Sequence, residues 1–361
     1  MRSNIIIVNS SLLISQSNLK IFPAKTSYPK YMKPREAIGK WHIGTIREFY
    51  PVTTGLFNET YIARSSTGVY VLQKLHPLIS RKEPTQHYLL ATMHLASKNL
   101  PAQRIILSKR GEMLVKDGVR AWRLMTAVPG HVYKRVQTVK MAEEAGKQLG
   151  LFHLTFRDFK EPIQRPHPMF RYDEVLDRLR SHEKKLSLDA DMRIRQSASF
   201  ILDHFQELFL PKNLPHRLIH TDPKISNFVF DNEGRAVAMI DLDTVQYLSP
   251  LYDLGDALRS LCGKEEDNPY NSFDMRRYRA FLKGYRDNSK GYLSAQERRL
   301  IPRATGLVIL GLAARFLNDY VDDSYFNFDP KRYGSRKAHN LARTLGQIAL
   351  YKSFRQKIKR L

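Results

Sequence analysis

Between residues 41 and 75, apolar and polar positions alternate in short runs, at 41–50, 61–64 and 69–75. Pro51, the polar turn Thr53-Thr54-Gly55 and residues 65–68 separate them, which predicts strands of an antiparallel sheet. The period changes over 84–99, where Tyr88, Leu89, Met93 and Leu95 fall at helical spacing and Pro101 follows the end. Three more strands are predicted at 104–107, 113–116 and 121–127, before Pro129-Gly130 breaks the chain. Beyond Gly130 the spacing is helical over 139–154, 172–183, 190–209, 275–288 and 294–320, the last capped by Ser294 and open to a break near Pro302. One β-hairpin interrupts these helices, 228–230 with 236–240, turned by Asp231-Asn232-Glu233-Gly234. No internal repeat or low-complexity segment is present.

The pattern divides the chain into three parts. Residues 1–35 contain no acid and are read as a basic, disordered tail; the composition also suits an organelle transit peptide, or an extension upstream of a start at Met32. Residues 36–128 form a small β-rich lobe and 129–361 a larger helical one, an α+β, bilobal, protein-kinase-like order of elements. With 361 residues there is ample chain for two such lobes. A single cysteine, Cys262, excludes an intrachain disulfide framework or thiolate zinc site and points to a reducing compartment, the cytoplasm. No apolar run approaches the ~20 residues of a membrane span. The 59 Lys and Arg outnumber the 35 Asp and Glu, giving +24. That excess suits an anionic ligand such as a nucleotide; being scattered, with no zinc-finger spacing or RNA-binding aromatic signature, it does not imply a specific nucleic-acid partner.

The richest chemistry lies in His220-Thr221-Asp222-Pro223-Lys224-Ile225-Ser226-Asn227, followed across the hairpin by Ile240-Asp241-Leu242-Asp243. An isolated Asp-x-Asp, or an Asn after a loop, is ordinary turn chemistry. Together, an Asp, an Asn five residues on and two carboxylates beyond a hairpin make a hard-oxygen cluster suited to Mg²⁺ and phosphate oxygens. The hairpin folds Asp241 back beside Asn227. A loop carboxylate near such a metal can take the proton of an attacking hydroxyl, which is the phosphoryl-transfer arrangement.

This H-x-D-x-K-x-x-N loop with its following I-D resembles the aminoglycoside phosphotransferase and choline kinase superfamily. Within it the chain is most similar to the N-acetylhexosamine 1-kinase-like branch, through residues 55–61, 71–75, 240–245 and 253–259, and through Arg315-Phe316-Leu317-Asn318-Asp319-Tyr320 with Tyr325-Phe326. The resemblance spans about residues 40–350. It implies an ATP- and Mg²⁺-dependent small-molecule kinase with residues 36–128 as nucleotide-binding lobe and 129–361 as catalytic and substrate lobe. It implies Asp222 as base, Asn227 and Asp241 as metal ligands and Asp243 as a second carboxylate at metal or sugar. Lys224 would neutralise charge on the transferring group. His220 would hold the loop, and Asp253 and Asp256 would cap the next helix and brace it.

For the nucleotide, the resemblance points to the turn with Gly55 and Asn58, to Thr60, and to backbone at Met125 and Ala127. The strand position that usually carries a phosphate-binding lysine reads Gln73, with Lys74 next and on the opposite face. The implied acceptor is a small alcohol or sugar, a neutral hexose with or without an N-acetyl group, phosphorylated at its anomeric hydroxyl and held by Asp222, Asp243, Arg315 and Tyr325. The alternatives are a kinase for choline, homoserine or an aminoglycoside, and a catalytically silent kinase-fold binding or scaffold protein.

Overall fold

The computed structural model describes residues 31–52, 58–77, 79–163 and 170–359. Most of the segment read as a tail lies outside these residues. Its predicted end is corrected, however: α1 (Pro34–Ile38) starts on a proline suited to a first helical turn, and the Met32 amide donates to Asp117 Oδ1 at 2.9 Å. Residues 31–35 therefore pack on the first lobe.

That lobe is built on a six-stranded antiparallel sheet. Its strands are β1 (Ile46–Val52), β2 (Glu59–Ser65), β3 (Gly68–Lys74), β4 (Ile105–Ile106), β5 (Val115–Asp117) and β6 (Arg120–Thr126), with α2 (Lys82–Ser97) between β3 and β4. The order is β1-β2-β3-β6-β4, with β5 on β6. Alternation along the central strands gives each face its own core. Leu72 and Leu124 pack with Trp41 and Trp122 on one side. Val71 and Met125 face α2 and the second lobe on the other. In the same register Gln73 stands opposite Arg123, so both point toward the lobe boundary while Lys74 points away.

The second lobe contains α3 (Val139–Thr155), α4 (Tyr172–Ser187), α5 (Met192–Phe205), α6 (Leu251–Cys262), α7 (Met275–Ser289), α8 (Ala295–Asp322) and α9 (Arg336–Ile358). Two small antiparallel ribbons carry the candidate site: β7 (Arg217–Ile219) with β10 (Gln246–Leu248), and β8 (Phe228–Phe230) with β9 (Ala236–Met239). Helices α3 and α7 cross closely because glycines face each carbonyl; a Cβ on Gly146 or Gly284 would lie 2.1 Å from Phe281 O or Glu143 O. The linker between lobes is pinned to the hairpin, His131 N–H donating to Phe230 O (2.7 Å) and Phe230 N–H to His131 O (2.8 Å).

Helix α8 runs unbroken through Pro302, started by a Ser294–Glu297 capping box. The burial of Ile301, Leu307, Ile309 and Leu310 outweighs the backbone bond that Pro302 forgoes. Against the expectation from the apolar runs, α8 is long and apolar enough to cross a membrane, the one such helix among the described residues. Since 72% of its most apolar window is buried inside the protein, it is the central core helix of this lobe.

Candidate active site

Strand β7 ends where His220 begins the loop, and two residues around that loop adopt left-handed backbone, Thr221 at φ 74° and Asp241 at φ 69°. For a β-branched residue and an aspartate this conformation is costly and must be held by its surroundings. Asp253, in the first turn of α6, supplies the hold. Its Oδ2 accepts the His220 amide and its Oδ1 the Thr221 amide, both at 2.7 Å. The His153 Nε2–H donates to the same carboxylate at 3.0 Å, and Tyr285 Oη–H donates to His153 Nδ1 at 2.8 Å, fixing the tautomer. Thr221 Oγ1 donates to Thr244 O at 3.0 Å, joining the loop to the segment after Asp241.

His220 does brace the loop, its Nε2–H donating to Ile240 O (3.0 Å) while its Nδ1 accepts the Asp222 amide (3.3 Å). Burial lowers its pKa in spite of Asp253 and Asp222, so the ring is neutral. Asp256 does not cap a helix. It lies inside α6 and forms an ion pair with Arg259 at 2.8 Å.

Asp222 is held on one oxygen and open on the other. Lys224 Nζ donates to Oδ2 at 2.5 Å and Asn227 Nδ2 at 3.1 Å. Among the described residues no donor reaches Oδ1. Asn227 Nδ2 also donates to the Asp222 carbonyl (2.8 Å), and the Ile240 amide donates to the Asn227 carbonyl (2.9 Å). Asn227 and the turn bearing Asp241 are thereby brought together, as the hairpin predicts, with the Asn227 Oδ1 left as an acceptor. Burial would lower the Lys224 pKa, but Asp222 and Asp241 outweigh it and raise it, so the ammonium stays charged.

Asp241 receives no hydrogen bond from the described residues. Burial and the neighbouring Asp243 push its pKa up to about 6. A partly buried carboxylate without a donor of its own among the described residues, beside the open oxygen of Asn227, fits a hard divalent cation. No group of three His, Cys, Asp or Glu gathers around one point among the described residues, so phosphate or water oxygens would complete such a shell.

Asp243 differs from expectation. Both its oxygens are taken by Arg123 of β6, Nη1 to Oδ1 at 2.6 Å and Nη2 to Oδ2 at 2.8 Å. Its carboxylate is an ion-pair partner, not an open coordination position. Arg123 carries no signal in the sequence beyond a charge in the middle of the mainly apolar strand β6. It is 1% exposed, donates to Gln73 Oε1 at 2.7 Å, and lies 4.3 Å from the centre of the Tyr88 ring of α2.

On the nucleotide side, Gly55 lies outside the described residues. Asn58 Oδ1 accepts the His76 amide (2.8 Å), bracing the turn after β3, and Thr60 Oγ1 is 3.5 Å from Gln73 Nε2. Lys74 is removed from the candidate nucleotide site, because the strand alternation turns it onto the far face. There it is buried, 3.0 Å from Asp117 and 5.3 Å from the Trp122 ring centre. Met125 is buried in the sheet, and the Ala127 amide is used by Val69 O at 2.9 Å, so neither side chain nor that N–H is available to a base.

This relocation has a measurable consequence. Lys74→Met should lower stability by about 3 kcal/mol, since removing one partner strands a buried carboxylate. Nucleotide affinity should be unchanged. Urea unfolding and nucleotide titration of the variant measure the two effects.

Arg315 and Tyr325 do meet, the guanidinium 5.7 Å from the Tyr325 ring centre and 5.4 Å from that of Phe326. Together with Asp243, Thr244 and Asn318 they line a cavity of about 510 Å³ between α2, α4 and α8. Asp222 does not line it; the wall residue Thr244 is the link, through its bond to Thr221.

The family model described as the phosphotransferase enzyme family matches residues 49–289. A homoserine kinase from a Caulobacter species is 25% identical over 281 residues, 77% of this chain and 82% of that protein. Among solved structures, a microcompartment-associated aminopropanol kinase aligns with a TM-score of 0.65 at 14% identity, covering 90% of this chain and 97% of that one. An amicoumacin kinase in complex with AMP-PNP and Ca²⁺ aligns at 0.59 and 16%, covering 86% and 91%. The two structures share the bilobal fold. The chain belongs to the phosphotransferase enzyme family.

Proposed function

We propose that the protein is an ATP- and Mg²⁺-dependent kinase that phosphorylates a hydroxyl of a small molecule, with a hexose-type sugar as acceptor and its anomeric hydroxyl as the target. The observation that carries the kinase reading is the Asp222 carboxylate, fixed on one oxygen by Lys224 and Asn227 and open on the other. In this role the open oxygen accepts the proton as the acceptor hydroxyl forms its bond to the γ-phosphorus and the bond to the β,γ-bridging oxygen breaks. The Lys224 ammonium offsets the carboxylate charge and would neutralise charge on the transferring group. Asn227 and Asp241 would hold Mg²⁺, which supplies charge neutralisation on the phosphates. The single cysteine, Cys262, suits the reducing interior of a cell, so the proposed site of action is the cytoplasm.

The sugar assignment draws on the cavity that gathers Asp243, Arg315 and Tyr325. Its size, about 510 Å³, falls within the roughly 300–1,000 Å³ of small-molecule pockets and has room for a hexose. Arg315 offers a fork of donors to hydroxyls, and the Tyr325 ring an apolar face. A second reading, an amino-acid alcohol, draws on the homoserine kinase relatives; the carboxylates of the same wall, Glu174 and Asp322, are already paired with Arg171 and Arg178.

A panel of N-acetylhexosamines, hexoses, homoserine, choline and aminoglycosides, followed by ATP consumption and phosphorus NMR, separates these. An anomeric sugar phosphate is expected. Turnover of homoserine alone would overturn the sugar assignment and leave the kinase. Turnover of none, together with no nucleotide binding, would favour a silent binding module.

A further inference from the structure

At the lobe boundary a single guanidinium joins four elements. Arg123 projects from β6, takes both oxygens of Asp243, bonds Gln73 of β3, and lies over Tyr88 of α2. In protein kinases a lysine of the third strand pairs with a glutamate of the following helix near this boundary, and activity requires that pair to be formed. Here the third-strand position facing the boundary is the neutral Gln73, and its cross-strand neighbour is Arg123. The cation has moved one strand over. Its carboxylate partner has moved from the helix to the turn two residues beyond Asp241.

The arrangement is a poor device for stability alone. Arg123 and Asp243 are 1% and 7% exposed, and the Arg123 Nε is buried without a partner among the described residues. A buried pair with an orphaned donor is generally replaceable by apolar side chains at little cost or with gain. What the pair does supply is geometry. A bidentate fork fixes the carboxylate plane as well as its position, and Asp243 leads through one residue to Asp241, whose left-handed backbone needs such support.

We infer that Arg123 is a positioning residue for metal–nucleotide binding, holding the Asp241 turn in register with the nucleotide-lobe sheet through Asp243. The inference rests on the kinase reading above. It implies that Asp243 acts through its ion pair and that the metal shell is built by Asp241 and Asn227 without it.

Calorimetry of AMP-PNP binding, in excess Mg²⁺ and in EDTA, tests it on the full-length wild type, R123K, R123M, D243N and the double variant R123M/D243N. In R123M and D243N the Mg²⁺-dependent part of the affinity should fall about 10–100-fold, as for residues that orient metal ligands, with affinity in EDTA unchanged. R123K, which keeps the charge without the fork, should recover only part. The double variant should be no worse than either single one, because both remove the same link. It leaves no buried charge unpaired, so it remains informative if the single variants fail to fold. Wild-type Mg²⁺-dependent affinity in R123M/D243N would overturn the inference while sparing the kinase reading. A wild-type protein with no Mg²⁺-dependent nucleotide binding would overturn both.

Discussion

Asp222→Asn should lower turnover by about 10²–10⁴-fold, the usual worth of a positioned general base, while nucleotide binding stays close to wild type. The substitution is nearly isosteric. Its amide can keep one oxygen toward Lys224, so the loop stays braced by Asp253 through the His220 and Thr221 amides. What disappears is the carboxylate that can accept a proton at the open Oδ1. Because Asp222 receives Lys224 and Asn227 only on Oδ2, the lost function is separable from the structural one. Steady-state rates and a nucleotide titration on the same preparation check this; near-normal turnover would remove Asp222 from the role of base.

Asp241→Ala should abolish the Mg²⁺ dependence of nucleotide binding altogether, and Asn227→Ala should weaken it. Asp241 is a partly buried carboxylate without a hydrogen-bond donor among the described residues, with its pKa pushed up to about 6 by desolvation and by Asp243. Such a group gains most from a cation. Alanine removes a partly buried charge but is disfavoured in the left-handed backbone held at this position (φ 69°), so urea unfolding of the variant accompanies the binding measurement. Since both residues serve one ion, the double variant should show less than the sum of the single effects. Unchanged metal dependence in Asp241→Ala, read by titrating Mg²⁺ at fixed AMP-PNP, would refute the site.

The parts of the site legible in the sequence are those made by neighbours in the chain. The loop from His220 to Asn227 and the hairpin behind it are local, so the spacing alone sets Asn227 beside the Asp241 turn, and the Ile240–Asn227 backbone bond delivers it. The inward and outward faces of β3 are equally local, and they send Lys74 to the far side. Arg123 belongs to the other kind. It meets Asp243 across 120 residues, and a charge in the middle of a mainly apolar strand gives no hint of its partner; the one available signal is Gln73, which implies a cation elsewhere.

Two helices escape the periodicity for similar reasons. In α9 the buried face includes Asn340, Arg343, Thr344 and Gln347, so the apolar stripe is interrupted by polar groups that find partners only in the folded lobe, as Asn340 does with Asp319 at 2.8 Å. In α6 the aspartates suggest caps, whereas Asp253 turns its carboxylate to the catalytic loop and Asp256 to Arg259. The break suggested by Pro302 is likewise overridden by the burial of α8.

The central claim is that Asp222, Asn227 and Asp241 make one metal-dependent phosphoryl-transfer site. Calorimetric titration of the wild-type protein with AMP-PNP, with and without Mg²⁺, tests it most directly, because it needs no knowledge of the acceptor. The account predicts one nucleotide per chain, bound at least about tenfold more tightly with Mg²⁺, in line with the 10–100-fold scale of metal-site effects. Binding that ignores Mg²⁺, or no binding at all, would contradict it.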